Sequence, residues 1–245
     1  MPVIANVATF PGRRAISARA IKSIASQVDR VNIVLNEYVY VPGELKSVPK
    51  ANFVFPPRDL KDVGKFFPSV EPDDDVFLID DDILYPSDYV ERMMSFREKV
   101  HDVHPILGLH SVIYSDYYEG KHGAGRLVDV FTKALDRPRL VNQIGTGTVY
   151  CKGYQMPEFE FMEGSEKFVD IRFARHSHSK GYPNISVARE ADWMKQLEIE
   201  GSIFESFTMS KPLNVIHEVQ EIAGFRKMDP NMWQLIEDRL VVASA

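Results

Sequence analysis

The sequence VFLIDDD at residues 76–82 places four apolar residues directly before three acids, and ILYPSDY follows at residues 83–89. The apolar run has the length and character of a buried strand. The acids at its carboxyl end are placed where ligands bind in open α/β sheets. Another run of three acids, Asp73–Asp75, precedes this strand and predicts an ordinary solvated turn. The two runs of three acids therefore have different predicted roles because they lie at opposite ends of one strand.

Apolar runs and amphipathic stretches alternate through the first half of the chain. Strands are predicted at residues 3–8, 31–35, 52–55 and 106–110, and helices over residues 16–28 and 87–100. This alternation predicts an α/β fold of parallel strands joined by crossover helices. The second half predicts a loop over a site at residues 115–126, a strand entered at Gly145, a helix over 166–180, a strand over 182–187 and a terminal helix over 232–242.

Length and composition limit the class of protein. The 245 residues are 44% hydrophobic, enough for a full core, and no linker or repeat divides them. We therefore expect one domain over residues 1–245, with a donor-binding half at about 1–110 and an acceptor half at about 111–245. The single cysteine, Cys151, excludes an internal disulfide, and no Cys/His spacing suggests structural zinc.

Charge and hydropathy indicate the compartment and partners. The formal net charge of −6 disfavours a nucleic-acid partner. No apolar run approaches the length of a membrane span, and the first residues lack a secretory pattern. We expect a cytoplasmic protein without an integral membrane segment, with peripheral attachment to the inner membrane left open.

The acids at Asp80–Asp82 repel one another unless a cation lies among them. Carboxylate oxygens select hard divalent cations such as Mg²⁺ or Mn²⁺, which keep open positions for substrate phosphates. The alternative is an acidic turn that binds nothing.

Several short segments, taken in order, resemble bacterial glycosyltransferases of the GT-A fold related to family 2. They are Ala8–Arg14, Gln27–Val31, Leu35–Asn36, Gly64–Phe66, Asp80–Tyr89, Gly145–Thr148 and Val169–Ala174. The resemblance implies a Rossmann-like mixed sheet flanked by helices, which binds a nucleotide-diphospho-sugar. It implies transfer of the sugar, with inversion, from a donor such as a UDP-sugar to a hydroxyl of a glycan or glycolipid acceptor during polysaccharide assembly.

The resemblance also implies a role for individual residues. Donor-binding residues would be Thr9, Pro11, Arg13, Asn36, Lys65, Asp80 and Asp81, and the ligands of Mn²⁺ or Mg²⁺ would be Asp80, Asp82 and His217. Asp170 would be the catalytic base that takes the proton of the acceptor hydroxyl. Asp170 follows Val169 rather than a second acid. The Gln-x-x-Arg-Trp signature of processive synthases is absent, so we expect a single transfer.

Other candidate residues have structural alternatives. His217 could be a histidine at a strand end that is satisfied by backbone hydrogen bonds. His110 could contact donor or acceptor or simply pack in the core, and Trp193 could be buried rather than a platform for sugar. The pair His176 and His178 would point to different faces of a helix, which disfavours a metal site. The Gly145–Thr148 segment could present backbone amides to the sugar or simply form a tight bend.

Two other functions remain open from the sequence. A sugar nucleotidyltransferase also combines an α/β sheet with acidic metal ligands, but it normally has a glycine-rich loop after its first strand, and Thr9–Arg14 contains one glycine. A non-catalytic module that binds a nucleotide or glycan would need the fold but no base.

Overall fold

A mixed sheet of eight strands runs through the protein in the computed structural model, which describes residues 1–120, 125–197, 212–224, 234, 236 and 238–241. The strands are β1 (Val3–Thr9), β2 (Arg30–Leu35), β3 (Ala51–Val54), β4 (Asp75–Ile79), β5 (Ile83–Leu84), β6 (Ile106–Gly108), β7 (Ser111–Tyr114), β8 (Arg126–Asp129), β9 (Arg139–Val141), β10 (Gln143–Ile144), β11 (Thr148–Lys152), β12 (Asn184–Ser186) and β13 (Lys195–Gln196). The helices are α1 (Arg14–Ala25), α2 (Gly43–Lys46), α3 (Tyr89–Lys99), α4 (Phe159–Met162), α5 (Val169–Ser179) and α6 (Leu213–Ile222).

The large sheet has the order β3-β2-β1-β4-β11-β6-β12-β9. Strands β3, β2, β1 and β4 are parallel, whereas β11 runs antiparallel to both β4 and β6. The carboxyl ends of β1, β2, β4 and β6 therefore lie along the same edge of the sheet. The amino end of β11 reaches that edge from the opposite direction, so the loop before Thr148 joins them.

Burial explains why these segments form the centre of the sheet. All five residues of β4 are buried, as expected for a strand covered on both faces. One face packs on α1, where Ile21 and Ile24 are fully buried, and on Tyr89 at the start of α3. The other face packs on Met162 of α4 and Phe173 of α5. Helices on both faces of the sheet thus pack against β4, the strand that Asp80–Asp82 follow.

The α/β class predicted from sequence is confirmed as a mixed sheet flanked by helices. A three-stranded sheet, β10-β7-β8, and a two-stranded sheet, β13-β5, were not predicted. The segment at residues 115–126, predicted as a loop, leads into β8, and residues 121–124 lie outside the described part of the chain. Of the terminal helix predicted over 232–242, residues 234, 236 and 238–241 are described and are helical. Across the described ranges, no helix has the length and apolar character needed to cross a membrane.

Candidate functional site

Three chain segments meet at the carboxyl edge of the large sheet. Thr9 ends β1, the acids Asp80–Asp82 follow β4, and Gly145–Gly147 precede β11. Sheet pairing brings the last two segments together, because Ile79 is the register partner of Thr148. The sheet therefore determines which loops can contribute to one site.

A buried lysine neutralises the first of the three acids. The ammonium of Lys65 forms an ion pair with Oδ1 of Asp80; the Lys65 side chain is 3% exposed and that of Asp80 is 42% exposed. Burial alone would lower the pKa of Lys65, but the carboxylates of Asp80, Asp170 and Asp62 together raise that pKa above its ordinary value. Lys65 therefore stays charged and fixes Asp80 at the edge of the sheet.

Thr146 links this ion pair to the predicted base. Its carbonyl oxygen and hydroxyl each lie 3.4 Å from the Lys65 ammonium. Its backbone amide and its hydroxyl both donate to Oδ1 of Asp170, each over 2.7 Å. Asp170 lies in the first turn of α5. The chain of contacts from Asp80 through Lys65 and Thr146 to Asp170 joins residues from the first and second halves of the chain.

Close packing holds the backbone of Asp80 in place. The Tyr85 hydroxyl accepts a hydrogen bond from the Asp80 amide over 2.9 Å and donates to the Gly147 carbonyl over 2.7 Å. A Cβ at Gly147 would lie 2.1 Å from Oδ2 of Asp80, so only glycine allows this approach. Sequence reasoning missed Tyr85 because a tyrosine in an apolar stretch gives no signal of its hydroxyl's partners.

Buried polar atoms without partners surround the second acid. Among the described residues, Oγ1 of Thr9, Nη1 of Arg13 and Oδ2 of Asp81 are buried and have no hydrogen-bond partner. Burial raises the pKa of Asp81 to about 7, an effect that the nearby Thr9 hydroxyl partly opposes. Such atoms are rare in folded proteins and require an explanation. A bound ligand that supplies the missing hydrogen bonds is one.

Arg13 also lies beside the third acid. Its Nη2 is 3.6 Å from Oδ2 of Asp82. Burial, followed by the neighbouring Asp80 charge, raises the pKa of Asp82 to about 6. Asp80 and Asp82 thus each have a cationic side chain next to them. Nη1 of the Arg13 guanidinium remains without a partner among the described residues.

His110 lies at the same edge, two residues after β6. The Gly145 amide donates to the His110 carbonyl over 2.8 Å, and a Cβ at Gly145 would be 3.1 Å from the imidazole ring. Within the described chain, Nδ1 of His110 is buried without a partner. Burial lowers the pKa of His110, which favours the neutral imidazole. Core packing alone therefore leaves one ring nitrogen of His110 without a hydrogen-bond partner in the described chain.

Two predicted donor-binding residues have mainly structural contacts. The Asn36 amide accepts from the Leu60 backbone over 3.0 Å and donates to the Lys61 carbonyl over 2.9 Å. These bonds use one of the two N–H donors and one of the two oxygen lone pairs of the Asn36 amide, so a nucleotide base could use only the remaining donor and lone pair. Pro11 is exposed and is the first residue of the short 3₁₀ helix Pro11–Arg13, which leads into α1.

The histidine and tryptophan candidates lie away from this cluster. His217 was expected at a strand end but is an exposed residue of α6, because Val215, Val219 and Ile222 recur at helical spacing and bury the opposite face. His176 and His178 contact different backbone carbonyls. The Trp193 indole donates to Asp88, and the Arg92 guanidinium lies 4.1 Å from its ring centroid and covers that face.

The predicted metal ligands do not form a three-residue centre. In the part of the chain that the structure describes, no three His, Cys, Asp or Glu side chains are grouped to hold a metal ion. Asp80 and Asp82 share the edge, but Lys65 and Arg13 already neighbour their carboxylates. These residues do not fit an ion held by the protein alone.

Two cavities occur elsewhere on the molecule. One of about 460 Å³ lies at the opposite, amino edge of the sheet and includes Arg30, Asn32 and Asp74 in its lining. Another of about 360 Å³ lies beside α3 and includes Arg92 and Trp193. Neither includes an acid of the Asp80–Asp82 run, and the Asp80 side chain at the sheet edge is 42% exposed.

Comparison with known proteins gives little further identification. No protein-family model matches the sequence, and no curated protein matches it. Among solved structures, the chain is similar to the crystal structure of mannose-6-phosphate isomerase from Helicobacter pylori, with 11% sequence identity and a TM-score of 0.41. The similarity covers 78% of this chain and 90% of that chain. It assigns neither a fold family nor an activity to this protein.

These findings correct the family predicted from sequence. The resemblance to bacterial GT-A glycosyltransferases of family 2 is wrong as an assignment, because no protein-family model and no curated protein matches the chain. The segments that suggested the family are short turns and acids at strand ends. Ligand-binding loops occupy that position in open α/β sheets generally, so their order does not define a family.

Proposed function

We propose that the protein binds a nucleoside-diphosphate sugar at the carboxyl edge of its large sheet and transfers the sugar to an acceptor hydroxyl. The observation that carries this proposal is the set of buried, unpartnered polar atoms of Thr9, Arg13 and Asp81. A ligand with anionic oxygens and hydroxyl or amide groups would satisfy all three. Buried polar atoms of this kind cost stability unless they are paired.

The cationic groups favour a diphosphate as the anionic part. Arg13 offers a planar guanidinium with an unused donor, which suits bidentate binding of phosphate oxygens. Helix α1 begins at the next residue, so the positive end of its dipole lies at the same edge. A leaving diphosphate gains negative charge as its bond to the sugar breaks, and these groups would stabilise that charge.

Asp170 is proposed as the base for the acceptor. Thr146 donates two hydrogen bonds to Oδ1, and the structure gives Oδ2 no partner among the described residues. Oδ2 can therefore accept the proton of an attacking hydroxyl while Oδ1 stays fixed. Attack from this side, opposite the leaving diphosphate, inverts the anomeric centre. Because a carboxylate holds the proton directly, no covalent intermediate is required.

The test is release of nucleoside diphosphate from a panel of UDP-, GDP-, ADP- and dTDP-sugars, with simple glycosides as acceptors. We expect one donor to be consumed, and Asp170→Asn to reduce transfer by about 10²–10⁴-fold without changing donor affinity. Glu166→Gln, four residues away, is the matched control and should leave both unchanged.

The outcomes separate the alternatives from the proposal. Release of pyrophosphate from a sugar phosphate and a nucleoside triphosphate would instead show a nucleotidyltransferase. Donor binding without transfer to any acceptor would indicate a non-catalytic module. Normal transfer by Asp170→Asn would contradict the assignment of the base.

A further inference from the structure

We infer that Arg13 supplies the positive charge at the diphosphate while Lys65 takes the place of a cation at Asp80, so that donor binding requires no divalent cation. This inference rests on the proposed function and changes the cofactor that the acid run suggested. Its basis is that both acids expected to bind Mg²⁺ or Mn²⁺ already have cationic side chains as neighbours.

The first step concerns the atoms of Asp80. Oδ1 is occupied by the Lys65 ammonium, and Oδ2 lies against Gly147, where even a Cβ would come within 2.1 Å. A metal ion at Asp80 would have to displace the ammonium or lie beside it. Displacement would leave a buried lysine without its counter-ion, and coexistence would place two cations side by side on one carboxylate, where they repel each other.

The ammonium is also held from other directions. The Thr146 carbonyl and hydroxyl both lie 3.4 Å from Lys65 Nζ, so three oxygens surround it. The side chain is 3% exposed, and a group this buried has no solvent into which it can move. Lys65 therefore occupies the position next to Asp80 that a cation would otherwise take.

The second step concerns Arg13 and Asp82. Their charged atoms are 3.6 Å apart, longer than a good hydrogen bond, and Nη1 of Arg13 has no partner within the described ranges. The charge of Arg13 is thus balanced by Asp82, but Nη1 lacks a hydrogen bond within the described chain. A diphosphate oxygen would complete its donors without the need for a bridging metal ion.

The third step compares the two neighbouring arginines. The Nε–H of Arg14 donates to both carboxylate oxygens of Glu44, at 3.0 and 3.1 Å, and the Arg14 side chain is exposed. Arg13 is buried, and it faces the site at the start of α1, where the helix dipole disfavours a cation. A buried cation at the positive end of a helix indicates an anionic ligand, and Arg14 provides a matched control.

The experiment is isothermal titration calorimetry of the wild-type protein with UDP, GDP, ADP and dTDP, in excess EDTA and, separately, in MnCl₂ or MgCl₂. We expect one nucleotide to bind with a Kd that differs by less than about threefold between the two conditions. Binding seen only with metal, or tightened by about tenfold or more, would overturn the inference and leave the proposed function standing. Absence of binding under every condition would overturn both.

Three variants sharpen the result. Arg13→Gln should weaken nucleotide binding in EDTA by about tenfold or more, and Arg14→Gln should leave it unchanged. Asp82→Asn distinguishes the two explanations by sign. If no metal is involved, loss of the Asp82 charge leaves the Arg13 guanidinium free for the nucleotide and tightens nucleotide binding by about threefold. If Asp82 is a metal ligand, its loss would weaken nucleotide binding. Weaker binding by Asp82→Asn would therefore contradict the inference.

Discussion

The two runs of three acids that flank β4 have the same composition and different surroundings. In the run before the strand, Asp75 accepts from the Tyr150 hydroxyl over 2.6 Å and pairs with Lys152 at 2.7 Å, and Asp74 accepts from the Glu71 amide over 2.8 Å. In the run after the strand, Oδ2 of Asp81 is buried without a partner in the described chain.

The difference indicates that the first run stabilises the fold and that the second is left incomplete for a ligand. The carboxylates of Asp74 and Asp75 receive their hydrogen bonds from the protein itself. The second run includes a buried acid whose charged form is disfavoured. Residues that bind ligands often lower stability in this way, because their groups are arranged for a partner that is absent in the free protein.

The largest effect on stability is expected from Asp75→Ala. Its removal leaves the Tyr150 hydroxyl and the Lys152 ammonium without the acid that both contact. Loss of one partner of a buried ion pair costs about 3–5 kcal/mol. Urea denaturation should show this loss, and nucleotide affinity of the folded fraction should be unchanged. A stable variant with weakened binding would reverse the roles given to the two runs.

A smaller effect of opposite sign is expected from Asp81→Asn. The pKa of Asp81 in the folded protein, about 7, lies above the ordinary value of 3.8, so the folded state holds its proton more tightly than the unfolded state. This acid therefore makes stability fall as pH rises from about 4 to about 7, by about 2–4 kcal/mol.

The Asp81→Asn variant removes that dependence and should be more stable than wild type at about pH 8, while it binds nucleotide more weakly. Denaturant midpoints measured across this pH range, together with calorimetry, test both halves of the prediction. A parallel pH profile for the two proteins would contradict the burial of a titrating Asp81.

Gly147→Ala tests the close approach at Asp80. Because the added Cβ would meet Oδ2 of Asp80 at 2.1 Å, either the carboxylate or the loop must move. We expect a loss of about 1–3 kcal/mol in stability and weaker donor binding. Gly43→Ala is the control, because a Cβ there has no heavy atom within 4 Å. Equal behaviour of the two variants would show that Asp80 is not held as described.

The smallest effect is expected at Asp73, the exposed acid of the first run. A surface substitution away from buried contacts usually changes stability by less than about 0.5 kcal/mol. Asp73→Asn should therefore match wild type in both thermal unfolding and nucleotide binding. A change in either would show that the first run has a role beyond its two buried members.

Local sequence patterns predicted the strands near the centre of the sheet. The buried run of β4 and its flanking acids were recognisable because a central strand is apolar throughout. The strand entered at Gly145 was predicted, but the antiparallel pairing of β11 and the small β10-β7-β8 sheet were not, since these pairings join residues far apart in the chain. Periodicity within a short segment contains no information about such partners.

The candidate site was predictable in part for the same reason. Asp80 was predicted from its place at the end of a strand and Asp170 from the family resemblance, and the structure connects the two through Thr146 and Lys65. The role of Tyr85 depends on the distance between two loops and could not be derived from sequence. His217 was misplaced because its apolar neighbours suggested a strand end, whereas their spacing over a longer window is helical.

The most direct test of the account is a crystal structure of the protein with the nucleoside diphosphate that binds in solution, grown in EDTA. We predict density for the diphosphate at the carboxyl edge, with an oxygen within hydrogen-bond distance of Arg13 Nη1 and a polar ligand group at Asp81 Oδ2. A nucleotide bound in the cavity near Arg30 and Asp74, or anywhere that leaves Arg13, Thr9 and Asp81 unpartnered, would contradict it.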